Sequence, residues 1–428
     1  MRASIGKGAS SVNPAIIIPT YWAEKDVLPR VGEVGVYDHA TSVTKPIPEL
    51  ETCLESLEKV RGVMRVIVLM VADLSCQDSA RARVNGICRR HPNLSPVIVG
   101  QPEANVVTRA IEGVAPRLEG DAVSLRGYGA IRNMGLAVAA ILGHDVAVFM
   151  DDDEVALDEN FLIDAVYGLG SENRQGIPIK AKTGYFITKD DSPLADAREP
   201  KWYNRYWSKR LEFNEWMGRA LTKTRISRSN VLCGGCFAVS ADAFCNVAFD
   251  PIITRGEDLD YLINLRMFGY DVWFDNQWRV RHLPPKTPSH AARFLQDVYR
   301  WEYEVAKLSA ANESIGMHKV TPESLDPYPR RWLSPEVSGK IMWTSLLRAI
   351  GSDEHLAYLQ VFFSRRWQAR SWARRVSRRY LQFQTQWPQI MAALWSDRFL
   401  GKRILNMGTP PAPRSHVVPS VGVSGGGR

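Results

Sequence analysis

The chain has 428 residues, 45% of them hydrophobic and 10% aromatic, which suits a globular protein of two domains or one large domain with an extension. It has no run of about 18 uninterrupted apolar residues, which argues against a bilayer-spanning helix. A net charge of +8 and a pI of about 9.1 fit an acidic ligand, a membrane surface or nucleic acid without choosing among them. Residues 1–13 carry basic and small side chains with no apolar stretch after them, and read as a disordered N-terminus rather than a signal peptide. Six cysteines (53, 76, 88, 233, 236, 245) follow no disulfide framework and favour a reducing cytoplasm.

Ala15 to Pro19 is a short apolar strand ending in Pro19-Thr20-Tyr21. An insertion punctuated by Gly and Pro follows over 29–48. Leu50 to Val60 has helical periodicity, and Arg65 to Val71 is a second strand ending near Asp73. A helix is expected over 79–90 and a third strand over Pro96 to Val99. Gly127 opens a segment entering a helix that runs to about 142. The strand Val146 to Met150 then stops in Asp151-Asp152-Asp153-Glu154. Strands alternating with helical patterns predict an α/β fold with a doubly wound, mostly parallel sheet.

The pattern is less regular after 155. Residues 201–216 are dense in aromatic and charged side chains, suited to packing or to stacking on a ligand. Cys233 to Val239 reads as a turn and a short strand. Gly256-Glu257-Asp258-Leu259-Asp260 opens a helix with acids, where the helix dipole favours them. Strand-like pieces from Tyr270 to Val280 lead to Arg281-His282. The organisation expected is a catalytic domain over 14–290, a mainly helical region over 291–405, and a disordered tail over 406–428, rich in Gly, Pro and Ser.

The acidic run is the most telling stretch. Four adjacent carboxylates repel one another unless water, a cation or a basic group offsets them. A strand ending in such a cluster is one way an α/β fold presents a divalent metal at the carboxyl edge of its sheet. A solvated turn that starts a helix is the plainer alternative.

Four patterns taken in order over about 15–285 resemble the GT-A glycosyltransferases, above all the large inverting family 2. They are the strand ending in Pro19-Thr20-Tyr21; Gly127 followed by Ile131-Arg132-Asn133-Met134-Gly135; Phe149 to Glu154 with its Asp-x-Asp; and Gly256-Glu257-Asp258 followed by Arg266 and Gly269-Tyr270. One departure is Ala72-Asp73-Leu74-Ser75, where the family usually has two adjacent aspartates followed by Gly-Ser.

The resemblance implies a nucleotide-sugar donor, an acceptor hydroxyl, and Mn²⁺ or Mg²⁺ held by Asp151, Asp153 and His282. It implies nucleotide or substrate contacts from Pro19, Thr20, Tyr21, Asp73, Arg132, Asn133 and Asp151, and a small-residue turn, Gly234-Gly235, beneath the acceptor. Asp258 matches the general base, with Glu257 orienting the acceptor or the loop. These residue types suit the reaction. A cation stabilises charge on the leaving phosphate, and a carboxylate takes the acceptor proton. Each has a plainer reading: Arg132 as a surface helix arginine, His282 as an interface histidine, and the acids at 257, 258 and 260 as helix capping.

Cys233-x-x-Cys236 lacks the second pair that a structural zinc site takes. Gln296 to Trp301 is one residue longer than the Gln-x-x-Arg-Trp of processive synthases, which favours single addition. Between Arg365 and Arg379 lie seven arginines and no acid, interleaved with apolar residues at helical spacing. Such a helix packs on the catalytic domain with a solvated basic face, or attaches to the inner face of an anionic membrane where a lipid-linked acceptor lies. A small-molecule acceptor is the alternative. Two other functions compete with glycosyl transfer: a nucleotidyltransferase on a related α/β fold, and a non-catalytic nucleotide-sugar-binding protein. The first usually has a Gly-rich basic loop after strand one, where this chain has Pro19-Thr20-Tyr21-Trp22. No nucleic-acid-binding motif accompanies the basic charge.

Overall fold

The computed structural model describes residues 12–24, 40–116, 121–195, 201–284 and 289–411. Residues 1–11, 29–39 of the expected insertion and 412–428 of the expected tail lie outside the described residues.

The strands are β1 (Pro14–Ala23), β2 (Thr41–Ser42), β3 (Val66–Ala72), β4 (Pro96–Val99), β5 (Val146–Phe149), β6 (Glu154–Ala156), β7 (Ala181–Ile187), β8 (Ile226–Arg228), β9 (Phe237–Ser240) and β10 (Val272–His282). They form one sheet in the order β4-β3-β1-β5-β9-β7-β10-β6, with β2 beside β1 and β8 beside β10. The first half is parallel: β1 pairs with β3 from Ile16↔Val66 to Trp22↔Ala72, and with β5 from Pro14↔Val146 to Ile17↔Phe149. β9 reverses direction against both β5 and β7. β7 and β10 run parallel, and β6 is antiparallel to β10.

Strands β1, β3, β4 and β5 are covered on both faces, which is why they read as unbroken apolar runs. Their side chains still alternate with the pleat. Ile17, Leu69, Val99 and Phe149 enter one core, while Ile16, Val68, Ile98 and Val148 enter the other.

Helices α1 (Glu49–Leu57), α2 (Gln77–Arg89) and α5 (Phe161–Val166) cover the second of these faces. The first is covered by α3 (Gln101–Val114), α4 (Gly129–Ile141), α7 (Ala241–Phe244), α8 (Glu257–Met267) and α9 (His290–Asn312). Between them in sequence, α6 (Lys209–Leu221) packs Trp216 and Met217 against Phe274 of β10. The remaining helices are α10 (Val337–Gly351), α11 (His355–Gln360), α12 (Arg366–Val376), α13 (Arg379–Leu394) and α14 (Arg398–Gly408).

The C-terminal helices share the first core rather than forming a separate one. Tyr380, Trp387 and Ile390 of α13 join the same cluster as Met134 and Val138 of α4. Asp397 caps α14 by accepting from the backbone amides of Phe399 and Leu400, and this helix continues three residues into the stretch expected to be a tail. A buried ionic knot ties α8 to α9. Lys307 donates to Asp250 at 2.9 Å, to Asn264 at 3.0 Å and to Asp260, while Tyr303 donates to Asp250 at 2.7 Å.

Candidate active site

The carboxyl ends of β1, β3 and β5 open together. Beside them lies a cavity of about 690 Å³, lined by Tyr21 and Trp22 of β1, Asp73 and Leu74 after β3, Gln101 and Glu103 of α3, and Arg126 and Gly127 before α4. Arg81 and Glu103 form its paired wall, with both carboxylate oxygens bonded at 2.9 Å. Glu103 also accepts from the Gly100 amide at 2.8 Å. Asp73, expected at the end of the second strand, borders this cavity. Pro19 and Thr20 lie deeper in β1, and Thr20 is fully buried with its hydroxyl beside Asp152.

Arg132 is the centre of the arrangement. It belongs to α4 and is buried rather than on a helix surface, with its guanidinium 5.1 Å from the Phe149 ring. It donates to Asp151 at 2.8 Å and to Glu257 at 3.3 Å, so one cation holds the acidic run after β5 and the acidic start of α8 together. Burial works against that charge, but the two carboxylates outweigh it and keep the guanidinium protonated. Tyr21 sits against the same group, and burial raises its phenol well above the usual range. Asn133 points the other way. It donates to the carbonyls of Ala122 and Phe249 and accepts from the Phe249 amide, so its polar atoms secure the wall rather than face a substrate.

The four acids of the run go to four places. Asp151 meets Arg132. Asp152 is buried, and burial raises its carboxyl. Asp153 meets His282 at the end of β10, 3.2 Å away. Burial disfavours the charged imidazole, but the hydrogen bond and charge of Asp153 prevail and raise His282 to about 9. Glu154 is buried and accepts from the Asp151 amide at 3.3 Å. A Cβ on Gly235 would lie 1.9 Å from its carboxylate, so only glycine fits there. At Gly234 a Cβ would lie 3.2 Å from Arg132 and 3.3 Å from Asp258.

Asp258 is half-buried at the start of α8, with one oxygen accepting from the Leu259 amide at 2.7 Å. Glu257 is buried, and burial raises its carboxyl although Arg132 opposes the shift. The loop before them turns on Gly256 at φ +68, and a Cβ there would lie 1.9 Å from the Arg300 guanidinium. Arg300 donates to Glu304 at 2.9 Å, so α9 supports the acidic loop from beneath. Of the aromatic stretch over 201–216, Trp207 packs with Phe294 and Trp332 at 4.8 Å, whereas Trp202 and Tyr206 remain exposed.

A family model described as "Glycosyltransferase like family 2" matches residues 45–303, more than half of the chain. The chain belongs to this family. Comparison with curated proteins found no match. Among solved structures, it is similar to a mannosyltransferase of Pyrobaculum calidifontis in complex with GDP-Man and Mn²⁺, at 15% identity, 90% coverage of this chain, 87% of that one and a TM-score of 0.44. It is also similar to glucosyl-3-phosphoglycerate synthase of Mycobacterium tuberculosis with Mg²⁺ and uridine diphosphate, at 13% identity, 68% and 80% coverage and a TM-score of 0.35. A third is TarS 1-349 of S. aureus with UDP, at 11% identity, 86% and 92% coverage and a TM-score of 0.35.

For a family 2 glycosyltransferase of GT-A fold, the expected metal residues are only partly gathered. Among the described residues no group of three or more His, Cys, Asp or Glu side chains is arranged to hold a metal ion. Asp153 and His282 do converge: the carboxylate oxygen suits Mn²⁺ or Mg²⁺, and the imidazole nitrogen adds a donor open to a transition ion such as Mn²⁺. Asp151 is instead bonded to Arg132. The six cysteines are free thiols, Cys233 and Cys236 included.

Two contributors escape a reading by motif. Glu154 fixes the backbone of Asp151 and fills the space left by Gly235. Arg300 lies outside the matched patterns, and its signal was the Gln296-to-Trp301 segment, which places it one helical turn after Gln296.

Proposed function

We propose that the protein is a non-processive hexosyltransferase that moves a sugar from a nucleoside diphosphate to an acceptor hydroxyl, with inversion at the sugar carbon. The observation that supports this reading is Arg132, bonded at once to Asp151 of the acidic run and to Glu257 at the start of α8. The 690 Å³ cavity at the ends of β1 and β3, with Tyr21 and Asp73 on its wall, suits a nucleoside. Arg132 orients the diphosphate as a bidentate donor. Asp258 takes the proton of the acceptor hydroxyl as that oxygen attacks the sugar carbon, and Glu257 keeps the loop in register. Asp153 and His282 would hold Mn²⁺ or Mg²⁺, with Asp151 turned toward the ribose or the ion. When bound, the ion supplies Lewis-acid stabilisation of charge on the departing diphosphate.

The acceptor is lipid-linked or a small molecule, and free thiols with no disulfide suit a reducing cytoplasm. Among the described residues no helix is long and apolar enough to cross a membrane.

The test is a panel of nucleotide sugars with Mn²⁺ or Mg²⁺, scored by thermal shift and nucleoside diphosphate release. One donor should shift the melting temperature, and only with metal. Asp153→Ala should weaken that donor binding. A fully active Asp153→Ala enzyme sinks the metal assignment, and the product anomer by NMR decides inversion.

A further inference from the structure

Between Glu354 and Asp397 the chain carries seven arginines and no acid. Helix α11, one π-helical turn (Val361–Arg365) and α12 follow one another without a break. Their inner face is packed. Tyr358, Val361, Ala369 and Ala373 are buried, and the Trp372 ring lies 5.4 Å from Tyr299 and 5.5 Å from Tyr303 of α9.

The outer face is different. Leu356, Phe363 two turns on and Trp367 one turn further are 76%, 70% and 55% exposed. The Arg366 guanidinium lies 5.2 Å from the Phe362 ring and 4.6 Å from the Trp367 ring, joining apolar and cationic surface in one patch. Further along, Arg374, Arg375, Arg378 and Arg379 are exposed. Glu302 lies near Arg366, Arg370 and Arg374, and Glu313 pairs with Arg378 at 3.3 Å, but two acids leave the stretch strongly positive.

We propose that this outer face docks on a membrane surface that carries anionic lipid. Charge complementarity selects the occupant. A nucleic acid would engage the arginines and leave Leu356 and Phe363 in water, whereas the boundary of headgroups and acyl chains takes both. Aromatic and aliphatic side chains enter the boundary while arginines meet lipid phosphates. The opposite, packed face of the same helix reaches the segment before α8, where Ala373 and Val376 pack on Ile253, five residues before Asp258. The docking rests on this surface alone and does not require that the protein transfer a sugar.

The test is co-sedimentation of the full chain with vesicles of phosphatidylcholine alone and of phosphatidylcholine mixed with phosphatidylglycerol. Binding to the mixed vesicles only is expected, weakening as salt is raised. Arg374→Gln with Arg375→Gln should lower the partition coefficient on the order of tenfold or more. Phe363→Ser with Trp367→Ser should lower it too, and unchanged melting curves would show that both variants fold. No binding to mixed vesicles overturns the proposal. So does binding that neither pair of substitutions changes, or retention on a structured RNA without retention on vesicles.

Discussion

The two acidic clusters look alike in sequence but are built differently. The run after β5 makes a turn at Asp152 and Asp153, with the Glu154 amide bonded back to the Asp151 carbonyl before β6 begins, so its side chains leave in different directions. Asp151 reaches Arg132 and Asp153 reaches His282, while Asp152 and Glu154 are buried, as Asp153 is too. The cluster at 257–260 starts a helix, where spacing around the axis separates the acids. Glu257 reaches Arg132, Asp258 stays half-buried near Gly234, and Asp260 points into the core toward Lys307. Adjacent carboxylates therefore do not share a task. Each cluster is divided among different partners, with Arg132 taking one acid from each.

The sharpest way to break this comparison is Asp258→Asn. It should cut turnover by about 10²- to 10⁴-fold while leaving metal-dependent donor binding intact, as read by kinetics beside a thermal shift. Loss of donor binding as well would mean that Asp258 belongs to the framework. Lys307→Met tests the opposite assignment for Asp260. It leaves Asp250 and Asp260 buried without their cation, so urea unfolding should show a loss of about 3–5 kcal/mol. A neutral result would place Asp260 outside the framework.

Gly235→Ala probes the space occupied by Glu154. The added methyl would overlap the carboxylate, and a loss of about 1–3 kcal/mol is expected in the same assay. The smallest effect concerns His282. Its folded value of about 9 lies above the unfolded one, so its contribution to stability is complete below about pH 6.5 and is lost as pH rises through 9. In the metal-free protein the fall in stability over that window should flatten in His282→Asn.

The parallel half of the fold was legible because buried strands such as Ile16–Ile18 and Val66–Leu69 are continuous apolar runs bounded by turns. The antiparallel half was legible only in part, at β9 and in pieces of β10. β6 and β8 have three residues each, and β10 mixes Asp275, Asn276 and Gln277 into a long strand, which reads as separate pieces. Of the site, Arg132, Asp151 and Glu257 could be singled out by motif, but their bonding through one guanidinium could not, since residues 132 and 257 lie 125 apart in the chain. Asn133 matched the motif equally well, yet its side chain secures the backbone at 122 and 249. A pattern marks a position and leaves open which way the side chain turns.

The Arg81 wall of the 690 Å³ cavity is finished from far along the chain. Besides Glu103, Arg81 donates to the Met407 carbonyl of α14 at 2.9 Å, across 326 residues of sequence. On a ribosome adding roughly 5–20 residues per second, that contact waits on the order of tens of seconds after Arg81 has been made. During that interval the β4 edge on which α14 packs lacks its final cover. Until then a newly made chain leaves that edge open beside the wall of the 690 Å³ cavity.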